Sequence, residues 1–582
     1  MLVLKIGYTY MKLKKIFVFL LIVFLVNFSL FAQQLQKSIM TISNDEYIDF
    51  WSDYPHEILA KEITNRMSND ELLAQIFMFG WAGGETPPLL TRWVSERELG
   101  SVKVFGWETQ NEIIVAESII HLQKLSQQSK YKIPLYVATD QEGGIIRHVK
   151  GSTSETPGNL SIGASGLPLD AWYTGYYIGR ELRALGINMN FAPTVDIYSN
   201  LDSTVIASRS FSSDANHVGV LGASFAKGSM DAGVIPTAKH FPGHGDTGID
   251  SHGILPEIFI SQQKLEEREL VPFYYLIEEN IPAIMTGHIA FPNIMENGEP
   301  ASLSHFFIND LLREKMGFQG LIITDDMMMN GATSFTKSLS EAVVLAINAG
   351  NDVIMSSSIP DWNEMIWLRS CDLMKTDTDF FNKVKNASYR VLLSKLEYFK
   401  GENSVPLFPD IDQIPNLVPD PEANAFFTSQ AAKAITLFKE GDYPYTAEQS
   451  KENKTLVVAQ FQEFFDESVK HYENLRYYYF GYNLSPYQVQ LEGQKLLNTA
   501  KNFDTIIMCV ANSSSKKVAN YLETCGKKVI LISVLEPVHV FELDWADTIL
   551  LAYSYSDYSF AAAFHALKGD FYPKGILPLG TE

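Results

Sequence analysis

Cysteine is scarce in this 582-residue chain: Cys371, Cys509 and Cys525 are the only three. They share no CxxC spacing, which argues against a zinc knuckle and against a disulfide framework. No G-x-G-x-x-G or G-x-x-x-x-G-K-[ST] follows a strand-like run, so nucleotide binding has no signature. Positive charge is short as well: 46 Lys+Arg face 68 Asp+Glu, a net charge of −22. That balance makes nucleic acid a poor partner, because phosphate binding draws on clustered Lys and Arg. No apolar run reaches the ~20 residues of a comfortable membrane span. No internal repeat links the two halves.

What is present reads as globular. Hydrophobic residues make up 46% and charged residues 20%, which excludes disorder as the main state. Lys12, Lys14 and Lys15 precede the apolar run Ile16–Val26, and a polar stretch follows Ala32. A basic start, a short greasy core and a small residue before polar sequence is the secretory pattern. Residues 1–32 are therefore expected to be a signal peptide, with an uncleaved anchor as the alternative and Met11 as a second candidate start. A periplasmic or secreted location follows, with no stable membrane insertion after cleavage.

From Met67 to about Lys400, β-branched or aromatic runs alternate with amphipathic stretches. The strand candidates are residues 75–81, 102–106, 135–140, 187–193, 235–241, 283–289, 321–325 and 352–356. Helices are expected between them, as at 169–186 and at 338–350, which ends in Gly350; Ser68-x-x-Glu71 spells a capping box. Alternation alone also fits an open doubly wound sheet, but a count of eight favours a (β/α)8 TIM-like barrel over residues 33–400. Residues 401–430 are rich in Pro, Asp and Asn and read as a linker. A smaller doubly wound α/β sandwich domain is expected at 431–582, with strands near 455–461, 477–482, 505–510, 528–534 and 548–554.

Polar residues gather where barrel strands end: Asp140 with Gln141 and Glu142, Lys239 with His240, His288, and Asp325 with Asp326. Each alone suits a turn or a helix cap; four strand ends of this kind suggest one shared mouth. The densest segment is KHFPGHGDTGIDSH, residues 239–252. His240 and His244 stand four apart, but Pro242 and Gly243 break any regular helix between them, and no HExxH accompanies them. No metal and no cofactor are expected. Asp250-x-His252 reads instead as a carboxylate-oriented acid–base pair, and Asp325 as a candidate nucleophile. A nucleophile and a proton donor across one bond are what glycoside cleavage needs.

These motifs resemble glycoside hydrolase family 3, in its β-N-acetylglucosaminidase branch and two-domain form. The long loop carries the resemblance, together with ATDQEGG (138–144), NFAPTVD (190–196), SRSF (208–211), IMTGH (284–288), PASLS (300–304) and GFQGLIITDD (317–326), in that order. It covers residues 60–400 and continues weakly to GILPLG (575–580). The resemblance implies that Asp325 is the nucleophile and His252 the general acid/base, held by Asp250. It implies that Asp140, Arg209, Lys239 and His240 hold the sugar in the −1 pocket. The family's G-G-R-V-x-R is here Gly143-Gly144-Ile145-Ile146-Arg147-His148, so both arginines are displaced and Arg147 becomes the substitute sugar ligand, with His148 as its rival. The implied activity is retaining exo-β-N-acetylglucosaminidase, releasing terminal β-linked GlcNAc from peptidoglycan fragments or chitooligosaccharides through a covalent glycosyl-enzyme. The alternatives are a phosphorylase using the same residues, a non-catalytic sugar-binding protein and a zinc hydrolase. The tail domain, whose acidic candidates include Glu463 and Glu492, is expected to contribute no catalytic group.

Overall fold

The structure is a computed structural model that describes residues 42–43, 45–248 and 253–580. The expected signal peptide, residues 1–32, and the Asp250–His252 pair lie outside the described residues. Among those described, no helix is long and apolar enough to cross a membrane.

Eight parallel strands form the first sheet: β1 (Phe77–Trp81), β2 (Ser101–Val104), β3 (Tyr136–Thr139), β6 (Met189–Asn190), β7 (Ile235–Phe241), β8 (Ala283–Thr286), β9 (Leu321–Thr324) and β10 (Ile354–Ser356). The order runs β10-β1-β2-β3-β6-β7-β8-β9, and an Ile323–Val353 bridge brings the last strand back beside the first, so the sheet closes into a barrel. Every residue of these strands is buried. That is why they read as continuous apolar runs: one side chain fills the barrel and the next meets the surrounding helices. Two short strands, β4 (Gln141–Gly143) and β5 (Ile146–Arg147), form an antiparallel hairpin directly after β3. Gly143 and Gly144 make its turn at φ +91° and +58°, values that side chains resist.

The local signals in the sequence become real caps. Ser68 and Glu71 form the capping box in both directions, and Gly350 ends the helix Leu339–Ala349 in the left-handed region.

The second sheet has the order β11-β16-β15-β14-β12-β13, built from β11 (Thr436–Lys439), β12 (Thr455–Ala459), β13 (Leu475–Tyr479), β14 (Thr505–Val510), β15 (Lys528–Ser533) and β16 (Thr548–Leu551). Only β11 is antiparallel. The five parallel strands follow the doubly wound 2-1-3-4-5 order. The edge strand β11 did not stand out in the sequence, since TLFK is short and half-exposed.

The stretch 401–430, expected to be a linker, does not behave as a loose tether. It carries the helical turn Ile414–Leu417 and the start of the helix Ala423–Ala434, and buries Val405, Ile414, Val418, Ala423 and Phe427. The backbone N–H of Asp420 donates to Glu181 Oε1 at 2.9 Å, and Arg180 pairs with Asp420 at 2.8 Å. Pro and Asp flagged a break in regular structure, while the i, i+4 pairs Ile414/Val418 and Ala423/Phe427 were too short a pattern to reveal the anchors.

The two domains share a core. Leu160, Ala164, Tyr198 and Ala207 of the barrel pack with Leu456, Ile506, Leu531 and Leu579. The tail segment 575–580 laces them together: Ile576 N–H donates to Ala164 O at 2.9 Å, and Ser213 N–H to Pro578 O at 3.0 Å. At Gly575 a Cβ would lie 1.9 Å from Ala434 O, so only glycine lets the chain pass there.

At the opposite end of β9 from its polar terminus, Asp352 is fully buried between Arg313 and Arg390, and accepts Ile322 N–H at 2.9 Å. Asp352→Ala would strand two guanidiniums and release that amide. We expect a loss of about 3–5 kcal/mol, the cost of breaking a buried pair on one side, read as a lowered Tm for the barrel; an unchanged Tm would show that the pair is dispensable.

Candidate active site

The residues that close one end of the barrel enclose a pocket of about 270 Å³. That lies just under the ~300–1,000 Å³ of pockets for drug-sized ligands and suits a single ring. Its walls include Lys103, Asp140, Glu142, His148, Arg209, Lys239, His240, His244 and Asp325, with Phe105 and Trp107 at one side. All come from the barrel half of the chain.

Strand alternation aims the first group. Asp140 and Glu142 point into the pocket, while Gln141 between them points away and holds Val149 through N–H and C=O. Asn190 of β6 clamps the same segment, accepting Gln141 N–H and donating to Gln141 O, both at 2.9 Å. On β7 a register shift between Ala238 and Phe241 interrupts the alternation, and Lys239 and His240, consecutive in sequence, both line the pocket.

Lys239 Nζ stands 2.6 Å from both Asp140 Oδ1 and Glu142 Oε1. Lys103 Nζ meets Asp140 Oδ2 at 2.6 Å, and Arg209 takes Glu142 in a fork of 2.7 and 2.9 Å. Burial alone would push both carboxyls up, but the neighbouring cations outweigh it. Asp140 is held well below the usual range by Lys103 and Lys239, and Glu142 is held at about 2 by Arg209 and Lys239. Burial pulls down the imidazoles of His148 and His244, each to about 4.

A second chain of contacts leads to Asp325. Asp196, fully buried, accepts His240 Nδ1 at 2.6 Å and the His244 N–H at 2.7 Å. This fixes the His240 proton on Nδ1 and leaves Nε2 facing Asp325 Oδ2 at 3.9 Å. Burial raises the Asp325 pKa, yet His240 and His288 bring it below the ordinary value, so the group is ionised at neutral pH. The adjacent Asp326 differs: its Oδ1 accepts the N–H groups of Met328 and Ser357 at 3.0 and 2.8 Å. Asp325 accepts one, from Asp326. His288 lies behind both, between Ser302 Oγ at 2.7 Å and Asp326 O at 3.1 Å.

The structure thus brings Asp140, Arg209, Lys239, His240 and Asp325 to one pocket, and does not bring Arg147 there. Arg147 pairs with Gln141 across the β4–β5 hairpin, and opposed residues share a face. Both side chains reach Thr153, and Arg147 also meets Glu155 at 2.6 Å. Its neighbours Ile146 and His148 line the pocket instead. Sequence reasoning had left Lys103, Asp196 and His244 without a role, and gave Glu142 only as one of the polar residues at a strand end. Lys103 in particular sits inside a strand, where a lone Lys gives no functional signal.

A barrel whose strand ends converge on a one-ring pocket with an ionised carboxylate at its wall has the layout of a barrel enzyme for small substrates. The relatives make the assignment specific. A family model described as the glycosyl hydrolase family 3 N terminal domain matches residues 70–377. The chain is 38% identical over 286 residues to beta-hexosaminidase A of Pseudoalteromonas piscicida, covering 46% of this chain and 47% of that protein, about half its length. It is 34% identical over 244 residues to a beta-hexosaminidase of Methylococcus capsulatus, covering 41% of this chain and 72% of the relative. A solved glycoside hydrolase family 3 beta-N-acetylglucosaminidase from Paenibacillus sp. superposes with a TM-score of 0.78 at 26% identity, over 88% of this chain and 99% of that one. The chain belongs to glycosyl hydrolase family 3.

The charge cluster predicts an acid limb. Glu142 titrates near 2 in the folded chain against an ordinary value of 4.5. Its depressed pKa contributes stability that is complete above about pH 4.5 and is lost as pH falls towards 2. Glu142→Gln should flatten the fall in Tm between those two values relative to wild type. Parallel curves would mean that the pair is broken in solution.

Proposed function

We propose that this chain is a retaining exo-β-N-acetylglucosaminidase that removes terminal β-linked GlcNAc from peptidoglycan fragments or chitooligosaccharides. The observation that carries the reading is the contrast among the carboxylates. Asp140 and Glu142 are neutralised by three cations, Asp196 is committed to His240, and Asp326 to backbone amides. Asp325 is held ionised at the pocket wall, meets no Lys or Arg side chain among the described residues, and takes a single amide on Oδ1, so that Oδ2 faces only His240 Nε2 at 3.9 Å. The names of the hexosaminidase relatives support the amino-sugar specificity.

In this mechanism Asp325 attacks C1 of the bound sugar, and the C1–O bond to the aglycone breaks as the glycosyl ester forms. The leaving oxygen takes a proton from His252, positioned by Asp250. Water, deprotonated by the same His, then attacks C1 and returns Asp325 as a carboxylate. The assignment of His252 draws support from its described neighbour: Gly253 O accepts Asn330 Nδ2 at 3.1 Å, one residue from the pocket residue Met329. Asp140, Glu142, Lys239 and Arg209 present donors and acceptors for ring hydroxyls, which use both. The basic, apolar, then polar N-terminal pattern supports a periplasmic or secreted location.

A chromogenic β-GlcNAc glycoside should be cleaved far faster than its β-glucoside, at equal rates with and without phosphate. Formation of GlcNAc-1-phosphate would replace the hydrolase by a phosphorylase. Asp325→Ala should lower turnover by roughly 10³-fold or more, and a mechanism-based fluorosugar should label Asp325; label on Asp326 would sink the assignment.

The acid is tested separately. His252→Ala should slow substrates with poor leaving groups by ~10²–10⁴ and spare activated aryl glycosides, which need no proton. Asp250→Asn should follow the same direction more mildly. Equal losses on both substrate types would remove His252 from the role.

A further inference from the structure

A cluster of imidazoles lies in the second domain, and none of its members lines the barrel pocket. His471 ends the helix Gln462–His471, and His565 lies on the helix Asp557–Lys568 that packs beside it. Asp570 follows Gly569, whose φ of +93° turns the chain back so that Asp570 N–H donates to His565 O at 3.0 Å. One ring nitrogen from each histidine and one carboxylate oxygen of Asp570 lie within 4.8 Å of one another.

The telling group is His471. Its side chain is 3% exposed, and its Nε2 is 2.8 Å from Glu467 Oε1. An ionised carboxylate only accepts, so the proton sits on Nε2 and a lone pair is left on Nδ1. That Nδ1 is buried and has no hydrogen-bond partner. Phe564 stacks on the ring at an interplanar angle of 11°, and the His565 ring stands edge-on to it at 4.5 Å. The ring is therefore held in plane by packing and in tautomer by Glu467, with its lone pair unused. A carboxylate behind a histidine is the arrangement that orients imidazole ligands to metals. Two imidazoles and a carboxylate make a donor set suited to zinc, with water as the fourth ligand.

One charge opposes an ion. Lys568 Nζ stands 2.9 Å from Asp570 Oδ2, the same oxygen that His565 Nδ1 approaches at 2.6 Å. Lys568 is on a long stem at the surface and can carry its ammonium into water. The two nitrogens of an imidazole point to opposite sides of the ring, so an ion here takes the place of the His565–Asp570 hydrogen bond and uses the atoms that now face each other, His565 Nδ1 and Asp570 Oδ2.

We propose that His471, His565 and Asp570 form a structural site for a zinc-class divalent cation that pins the helix Gln462–His471 to the helix Asp557–Lys568. The site acts on the stability of the second domain and not on bond cleavage.

The test uses the full chain without an affinity tag, stripped with a chelator and titrated with Zn²⁺ against a chromophoric competitor. Wild type should bind one equivalent and gain several degrees in Tm. His565→Gln and Asp570→Asn, both at exposed positions, should fold normally, lose the Tm gain and bind at least a hundredfold more weakly. Glu467→Gln leaves all three ligands in place, and should weaken binding by roughly 10–100-fold, as loss of an orienting carboxylate does. Turnover of the chromogenic glycoside should be the same in wild type and His565→Gln. Zinc that fails to bind, or that binds His565→Gln and Asp570→Asn as tightly as wild type, would overturn the proposal.

Discussion

Lys239 supports the site from the centre. Its ammonium lies 2.6 Å from two carboxylates while the side chain is 3% exposed. Charges so deeply buried are tolerable only when each is paired and its remaining valences are filled. Lys103 and Arg209 do this from opposite sides, so the five groups hold one another in place. The result is a wall of fixed donors and acceptors that needs no rearrangement to meet a polyhydroxylated ring. The barrel supplies the geometry: Lys103 comes from β2, Asp140 from the end of β3, Glu142 from β4 of the hairpin after it, and Lys239 from β7. Closing the sheet is what brings β2 and β7 to a common ion. An open doubly wound sheet with the same strands would have left them apart.

This cluster also sets the task of each acid. Five carboxylates stand in or behind the pocket, and their environments divide them. Asp140 and Glu142 carry their charge for the cations. Asp196 serves His240, whose second nitrogen then faces Asp325. Asp326 stitches the turn after β9 to β10 through two amides. Separating carboxylates by environment is how one fold assigns distinct roles to chemically identical groups. The same logic explains why Asp325 needs its imidazole neighbours. Burial alone would favour its protonated form, and the nucleophilic role proposed for it requires the carboxylate.

Much of this was legible because barrel strands are buried on both faces and so appear as unbroken apolar runs; β7 and β14 were found with their observed limits. The polar strand ends were legible for a related reason: each alone suits a turn or a cap, but their recurrence at four strand ends pointed to one mouth. Orientation was not legible. Arg147 stood beside the pocket motif in sequence, yet hairpin pairing put it on the Gln141 face, and a single residue's shift exchanges faces. Lys103 was hidden by the converse effect: a lone Lys inside a short strand gives no functional signal, and only barrel closure sets it against Asp140. The stretch 401–430 shows a third limit. Its anchors are the i, i+4 pairs Ile414/Val418 and Ala423/Phe427, each on too short a stretch of helix within 401–430 to stand out from the Pro, Asp and Asn around it.

The displaced Arg147 leads to the second domain. Tyr555 follows β16, and its hydroxyl is pushed up by burial and then by the nearby charge of Glu155, with Arg147 opposing. The strand ends of the second sheet therefore look onto the hairpin that carries Asp140 and Glu142 into the pocket. Phe461, after β12, stacks on Tyr555 and meets Tyr482 at 5.8 Å, so three aromatic rings face the same region. In a doubly wound sheet this is the crevice where ligands ordinarily gather, at the point where strand order reverses. Here the loops bordering it stand against the barrel's own hairpin. Arg147 thus lies on the opposite side of that hairpin from the pocket, tied to Thr153 and Glu155, where the two domains meet. A residue can vacate a binding wall and still govern its position when the wall is a two-residue strand with its other face against a neighbouring domain.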